Sequence, residues 1–302
     1  GNGAQVLNLV ANKLGLDVSS ADLESIDYAH EAELLADLIT KVVYIAVVTN
    51  CDYLTDVYEI DFKDFLLPTE KTNEIIQNFA DIFDILSESD VLEALVLPIS
   101  AKFLGNVGNL AGLLDLHNIY NDGSEFSSDM AAIRDVLLGL KELDVFGFLH
   151  GFVKFPFDKN ETVNTMITAL FTMNYLNNGE ARFQTIAHTI GKLINFDLSQ
   201  YDLSNVDLAA DAPKLCAMVD ELSLVLTDEN WLVVDITSIN PFEVRKEFLT
   251  DYEVIENVLD ALSHLVSTTL YTELGGLAIL AFPVIEKAAA DIYEALGLAD
   301  TD

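Results

Sequence analysis

Leu14 to Leu35 reads LGLDVSSADLESIDYAHEAELL, and Ile194 to Leu215 reads INFDLSQYDLSNVDLAADAPKL. Asp17, Asp22 and Asp27 of the first stretch align with Asp197, Asp202 and Asp207 of the second at a single offset of 180 (197 − 17, 202 − 22, 207 − 27). Ala32 and Leu35 then fall on Ala212 and Leu215. A spacing of five residues fits neither the 3.6 of a helix nor the 2 of a strand. The stretch therefore reads as a chain of turns, in which Asp and Ser side chains bond nearby backbone N–H groups.

The correspondence extends outward from this ladder. Downstream, Phe65-Leu66 matches Phe248-Leu249, Glu74–Asn78 matches Glu253–Asn257, and Leu97-Pro98 matches Phe282-Pro283, with Lys102 and Lys287 shortly after. Offsets drift between 179 (253 − 74) and 185 (287 − 102), as loops of unequal length require. A more diverged copy lies between: Leu113–Leu116 opens it, Ile133–Leu138 takes the place of Leu34–Ile39, and Val163–Leu176 that of the Glu74–Leu86 helix. Leu296-Gly297-Leu298-Ala299-Asp300 resembles Leu14-Gly15-Leu16-Asp17, as if a further copy were starting. The expected organisation is mainly α: three tandem, diverged helical repeats of about 90 residues, stacked as a solenoid or serial bundle. Unit 1 spans residues 1–108, unit 2 spans 109–193, and unit 3 spans 194–302 with the start of the next.

Within a unit, a helix follows the ladder. Leu34, Leu35, Leu38, Val42 and Ile45 recur at helical spacing across Glu31–Val48, and Leu215, Met218, Val219, Leu222 and Leu226 do so in the third copy. Asp211 is placed to cap that later helix, with Pro213 suited to its first turn. Short β-branched or aromatic stretches come next, at Tyr53–Phe62, Phe152–Phe157 and Trp231–Ile239, as short strands or extended linkers. Second helices are expected at Thr72–Leu86, Glu161–Leu176 and Asp251–Leu265, and third helices at Asp90–Leu104, Ala181–Leu193 and Leu274–Leu296.

The chain has 302 residues, 51% of them hydrophobic, which excludes disorder and supplies ample core. Fifty acidic residues oppose fifteen basic ones, a net of −35. That field repels nucleic-acid backbones and anionic membrane surfaces, and favours basic protein partners or cations. No apolar run is long enough to span a bilayer, so no membrane insertion is expected. Cys51 and Cys216 fall at different places in their copies and read as two buried thiols, not a repeated disulfide.

Chemistry-bearing motifs are sparse. The five histidines, His30, His117, His150, His188 and His264, show no ligand pair four residues apart, and no nucleotide loop or nucleophile elbow is present. The only metal candidates are the ladder carboxylates Asp17, Asp22, Asp27, Asp197, Asp202 and Asp207, for which Ca2+ would be the cation; calcium takes about six or more oxygens, and the ladder lacks a close Asp-x-Asp-x-Asp run. The reading that follows is a non-enzymatic structural or interaction module from a larger repetitive bacterial protein, extracellular or at the cell surface. The alternatives are a carboxylate-dependent hydrolase and a cytoplasmic acidic scaffold that binds a basic partner.

Overall fold

The structure, a computed structural model, describes residues 2–19, 21–51, 69–104, 107–114, 116–120, 123–149, 156–179, 181–193, 198–199, 201–227, 232–234, 242–244 and 251–275. It is mainly helical. The described strands are β1 (Leu232–Val234) and β2 (Phe242–Val244), paired antiparallel with Val233 opposite Glu243. β1 falls within the expected extended stretch Trp231–Ile239; Tyr53–Phe62 and most of Phe152–Phe157 lie outside the described residues.

Helix α1 (Asn2–Leu14) buries Ala4, Leu7 and Ala11 along one stripe. It ends in a Schellman turn: Gly15 has φ of 64°, Leu16 N–H donates to Ala11 O and Gly15 N–H to Asn12 O. The turn ladder then runs back beneath α1, and its apolar members Leu16, Val18, Leu23 and Ile26 join Ala4, Leu7 and Ala11 in one core. The ladder thus supplies core as well as connection. Helix α2 (Tyr28–Cys51) follows, then α3 (Thr69–Glu88) and α4 (Asp90–Ile99), whose Val91 and Ala94 close the same core.

The expected helix Asp90–Leu104 is split. Pro98 lacks the N–H that would continue the ladder of bonds, and Ser100–Leu104 winds as a π-helical turn. Two short helices, α5 (Ala111–Leu114) and α6 (Leu116–Ile119), lead to α7 (Gly123–Glu142). Helices α8 (Val145–Leu149), α9 (Asn160–Phe171) and α10 (Asn174–Asn177) complete the middle of the chain. The single helix expected over Glu161–Leu176 is broken after Phe171, because Met173 adopts ψ of 133° and starts a new helix at Asn174. Helices α11 (Arg182–Leu193), α12 (Leu208–Leu226) and α13 (Tyr252–Val266) follow, with residues 269–275 helical beyond. The rest of the expected Leu274–Leu296 helix lies outside the described residues.

The long helices form a row. Helix α2 packs on α3, α3 on α7, α7 on α9, α9 on α12 and α12 on α13. Neighbours run antiparallel, as their cross-contacts show: Lys41 with Asp81 and Tyr44 with Glu74, then Arg134 with Asp84 and Lys141 with Gln77. A second core cluster, Leu97, Ile119, Tyr120, Phe126 and Met130, joins α4 and α6 to α7, with Phe83 of α3 and Tyr175 of α10 packed on it. No described helix is long and apolar enough to cross a membrane.

Candidate functional site

Three carboxylates are buried among the described residues: Glu31, Asp129 and Asp211, the last at 0% exposure. A buried carboxylate is costly unless its oxygens are filled with donors. All three are filled in one way. Each lies in the first part of a long helix, α2, α7 or α12, and accepts N–H groups at the start of the helix that comes after the next long one.

In the first case Glu31 Oε1 accepts Asp90 N–H at 2.9 Å and Oε2 accepts the Ser89 hydroxyl at 2.5 Å. Ser89 is itself the N-cap of α4, its Oγ accepting Leu92 N–H. In the second, Asp129 Oδ1 accepts Asn174 N–H at 2.7 Å and Oδ2 accepts Tyr175 N–H at 2.6 Å, with the Tyr120 hydroxyl donating at 2.8 Å. In the third, Asp211 accepts Thr269 N–H at 2.8 Å, Leu270 N–H at 2.7 Å and the Thr269 hydroxyl at 2.7 Å. The sequence separation is 59 residues for Glu31 to Asp90 and for Asp211 to Leu270, and 46 for Asp129 to Tyr175. Glu31 and Asp211 stand at the ladder's own offset (211 − 31 = 180), as do Asp90 and Leu270 (270 − 90 = 180).

The electrostatics follow from the unpaired N–H groups and positive end of a helix N-terminus. Burial pushes the Asp211 carboxyl up, but the Leu270 and Thr269 donors and Lys214 at 3.3 Å outweigh it, so the group sits below its ordinary value. Burial, then the adjacent Asp129 charge, raise Tyr120 and keep it a hydroxyl donor. The expectation that Asp211 caps its own helix is corrected here. The N-cap of α12 is Asp207, whose carboxylate accepts Ala210 N–H, and Asp211, one turn in, points to the neighbouring chain segment. If Asp129 is placed on Glu31 (129 − 31 = 98), Ile133 falls on Leu35 (133 − 35 = 98), one residue from the pairing with Leu34 expected from the sequence.

The metal candidates are placed differently. Asp17 Oδ1 accepts Ser19 N–H, Asp202 Oδ1 accepts Ser204 N–H and hydroxyl, and Asp27 Oδ1 accepts Ala29 and His30 N–H at the start of α2. Asp207 does the same for α12, and the Asp22 carbonyl accepts from Ser25. Asp197 lies outside the described residues. Hydrogen bonds from Ser19 and Ser204 hold Asp17 and Asp202 below the ordinary carboxylate value. Among the described residues no three His, Cys, Asp or Glu side chains are gathered to hold a metal ion. The two outer ladders share their turn bonds as well: Ala21 N–H to Val18 O recurs as Tyr201 N–H to Leu198 O, again 180 apart (201 − 21).

Two clefts open between these helices. One, of about 300 Å³, lies between the first ladder, α4 and α6, and is lined by Asp22, Asp90, Glu93, His117 and Tyr120. The other, of about 650 Å³, is an open groove where α7, α9 and α12 meet, with Asp135, Asn164, Cys216 and Asp220 on its walls. Cys216 is half-buried there, not fully buried as expected, with Thr168 Oγ1 at 3.6 Å. Among the described residues, the carboxyl groups of Asp17, Asp81, Asp202 and Asp211 are held below their ordinary value by the hydrogen bonds they accept. None of these four is made into a proton donor near neutral pH, which is what carboxylate acid catalysis needs.

The acid-to-helix-start connections are absent from the sequence reading. A signal for them exists: Glu31, Asp129 and Asp211 each stand four residues before an apolar residue, Leu35, Ile133 and Leu215, on the same stripe of a long helix. Comparison of the chain with protein-family models, with curated proteins and with solved structures found no match.

Proposed function

We propose that the chain is a non-enzymatic structural or interaction module made of three diverged copies of one helical unit stacked in series. The single observation that carries this reading is the recurrent buried carboxylate, placed in the first two turns of three long helices and directed each time to the start of a later helix. A catalytic acid must face a cleft where substrate can reach it; these three are consumed in tying the start of a later helix to a long helix earlier in the chain. Support also comes from the unbroken row of antiparallel helices, which gives each unit contacts to its neighbours in the manner of a solenoid. The units proposed are residues 1–108, 109–193 and 194–302.

With a net charge of −35, such a scaffold suits a protein partner that presents lysines and arginines. Placement outside the cell or at its surface is part of the same proposal. The test pairs binding with turnover. An immobilised lysine-rich peptide is expected to capture the protein with an affinity that falls steeply between about 50 mM and 500 mM NaCl, since screening shortens the field. A panel of glycoside, ester and peptide substrates is expected to show no turnover above a heat-denatured control. Hydrolysis abolished by one carboxylate substitution would overturn the reading.

A further inference from the structure

The two ends of the helix row expose apolar faces that the interior of the row keeps covered. Helix α3 lies between α2 and α7, α7 between α3 and α9, α9 between α7 and α12, and α12 between α9 and α13. Among the described long helices, α2 and α13 have one such neighbour each. On α2, Ile39, Val43 and Val47 are exposed at 63%, 53% and 52%; on α13, Leu259, Leu262 and Val266 are exposed at 59%, 49% and 48%.

These positions are not arbitrary ones. Under the offset that matches Glu74 to Glu253 (253 − 74 = 179), Leu259 and Leu262 correspond to Ala80 and Phe83 of α3. Ala80 is buried, and Phe83 packs on the cluster that contains Phe126 and Met130 of α7, the first long helix of the following unit. Under the offset that matches Glu31 to Asp129 (129 − 31 = 98), Ile39 and Val43 correspond to Leu137 and Lys141 of α7. Lys141 reaches back to Gln77 of α3, in the preceding unit. Among the described residues, the exposed face of α13 therefore corresponds to the one that α3 turns to the next unit, and the exposed face of α2 to the one that α7 turns to the unit before. The two free faces are halves of a junction that the chain already forms internally.

We infer that a second copy of this chain docks head to tail, its α2 face on the α13 face of the first, continuing the row across molecules. The inference rests on the reading of the chain as serial copies. Such a contact is heterologous, so it propagates into open chains instead of closing as a two-fold dimer. Both faces are flanked by acids, Glu33 and Asp37 on α2 and Glu253, Glu256 and Asp260 on α13, so like charges oppose the contact and salt favours it.

The experiment is sedimentation velocity on the intact protein, across protein concentration and from about 0.05 to 1 M NaCl, with Val43→Asp and Leu262→Asp variants. Wild type is expected to grow into species larger than dimers as concentration and salt rise. Each variant alone is expected to stay monomeric, because each lacks one half of the junction. A mixture of the two retains one intact pair of faces and is expected to stop at one-to-one dimers. Leu259→Glu serves as a second α13 variant, and circular dichroism checks that every variant is folded. Wild type that stays monomeric throughout overturns the proposal, and so does a Val43→Asp protein that pairs with itself. Neither result touches the internal equivalence of the units, which amide exchange at the three helix starts reads separately.

Discussion

Asp211 has no exposure to water and yet is held ionised, because backbone donors at the start of the last described helix meet both its oxygens. Charge-assisted bonds of this kind contribute about 1.5–3 kcal/mol each, and leaving the donors unmet adds a desolvation cost. Asp211→Asn keeps the shape and removes the charge, and it is expected to cost about 3 kcal/mol in urea unfolding at neutral pH. The pH dependence has a definite sign. A folded-state value below the ordinary 3.8 means the contribution is full above that value and is lost as pH falls through the folded one. Stability profiles of wild type and Asp211→Asn should therefore converge on acidification; a gap that persists or widens at low pH would show that the carboxylate's charge is not the stabilising feature. At this scale the sequence was half legible. Ser89, Asn174 and Thr269 are recognisable helix-start residues. The acid 46 or 59 residues upstream is not, since an apolar residue four positions on is its only local mark, and that alone does not single out one inward-turned acid among fifty carboxylates.

Among elements, the turn ladder sets how α1 meets α2. Tyr28 opens α2, its hydroxyl donates to Leu23 O at 2.9 Å, and its ring lies where a side chain on Gly3 of α1 would stand, 2.2 Å from an ideal Cβ. The ring is fixed at its far end by that hydrogen bond and cannot swing aside cheaply. Gly3→Ala should then destabilise by about 1–3 kcal/mol through overpacking, despite a helix-propensity gain of up to about 1 kcal/mol. A thermal melt decides it, because an unchanged or raised Tm would mean that α1 sits elsewhere. Helix positions were largely legible from apolar periodicity: Glu31–Val48 was expected and Tyr28–Cys51 is found. The breaks were not. Pro98 was visible, but whether a proline ends a helix or turns it into a π-turn depends on what neighbouring segments can accept. The break after Phe171 has a tertiary cause, since it frees the Asn174 and Tyr175 amides to reach Asp129.

For the molecule as a whole, two stretches of the chain match in detail at one offset of 180 residues (201 − 21, 211 − 31, 270 − 90), from turn bonds to buried acid to helix start. On the proposed reading of three copies, the middle one keeps the acid and loses the ladder, with the short helices α5 and α6 in that part of the chain. That divergence explains why periodicity alone could outline the middle unit but not register it to the residue. In the proposed serial stack, units interact with their neighbours and not with the whole chain, so disturbing one should be felt mainly within it. Amide hydrogen exchange on Glu31→Gln, Asp129→Asn and Asp211→Asn tests this most directly. Each variant is expected to speed exchange by about 100-fold, the equivalent of about 3 kcal/mol, at its own helix start: Asp90 for the first, Asn174 and Tyr175 for the second, Thr269 and Leu270 for the third. Wild-type exchange rates at those amides in any variant, or equal acceleration in all three units from one substitution, would contradict the account.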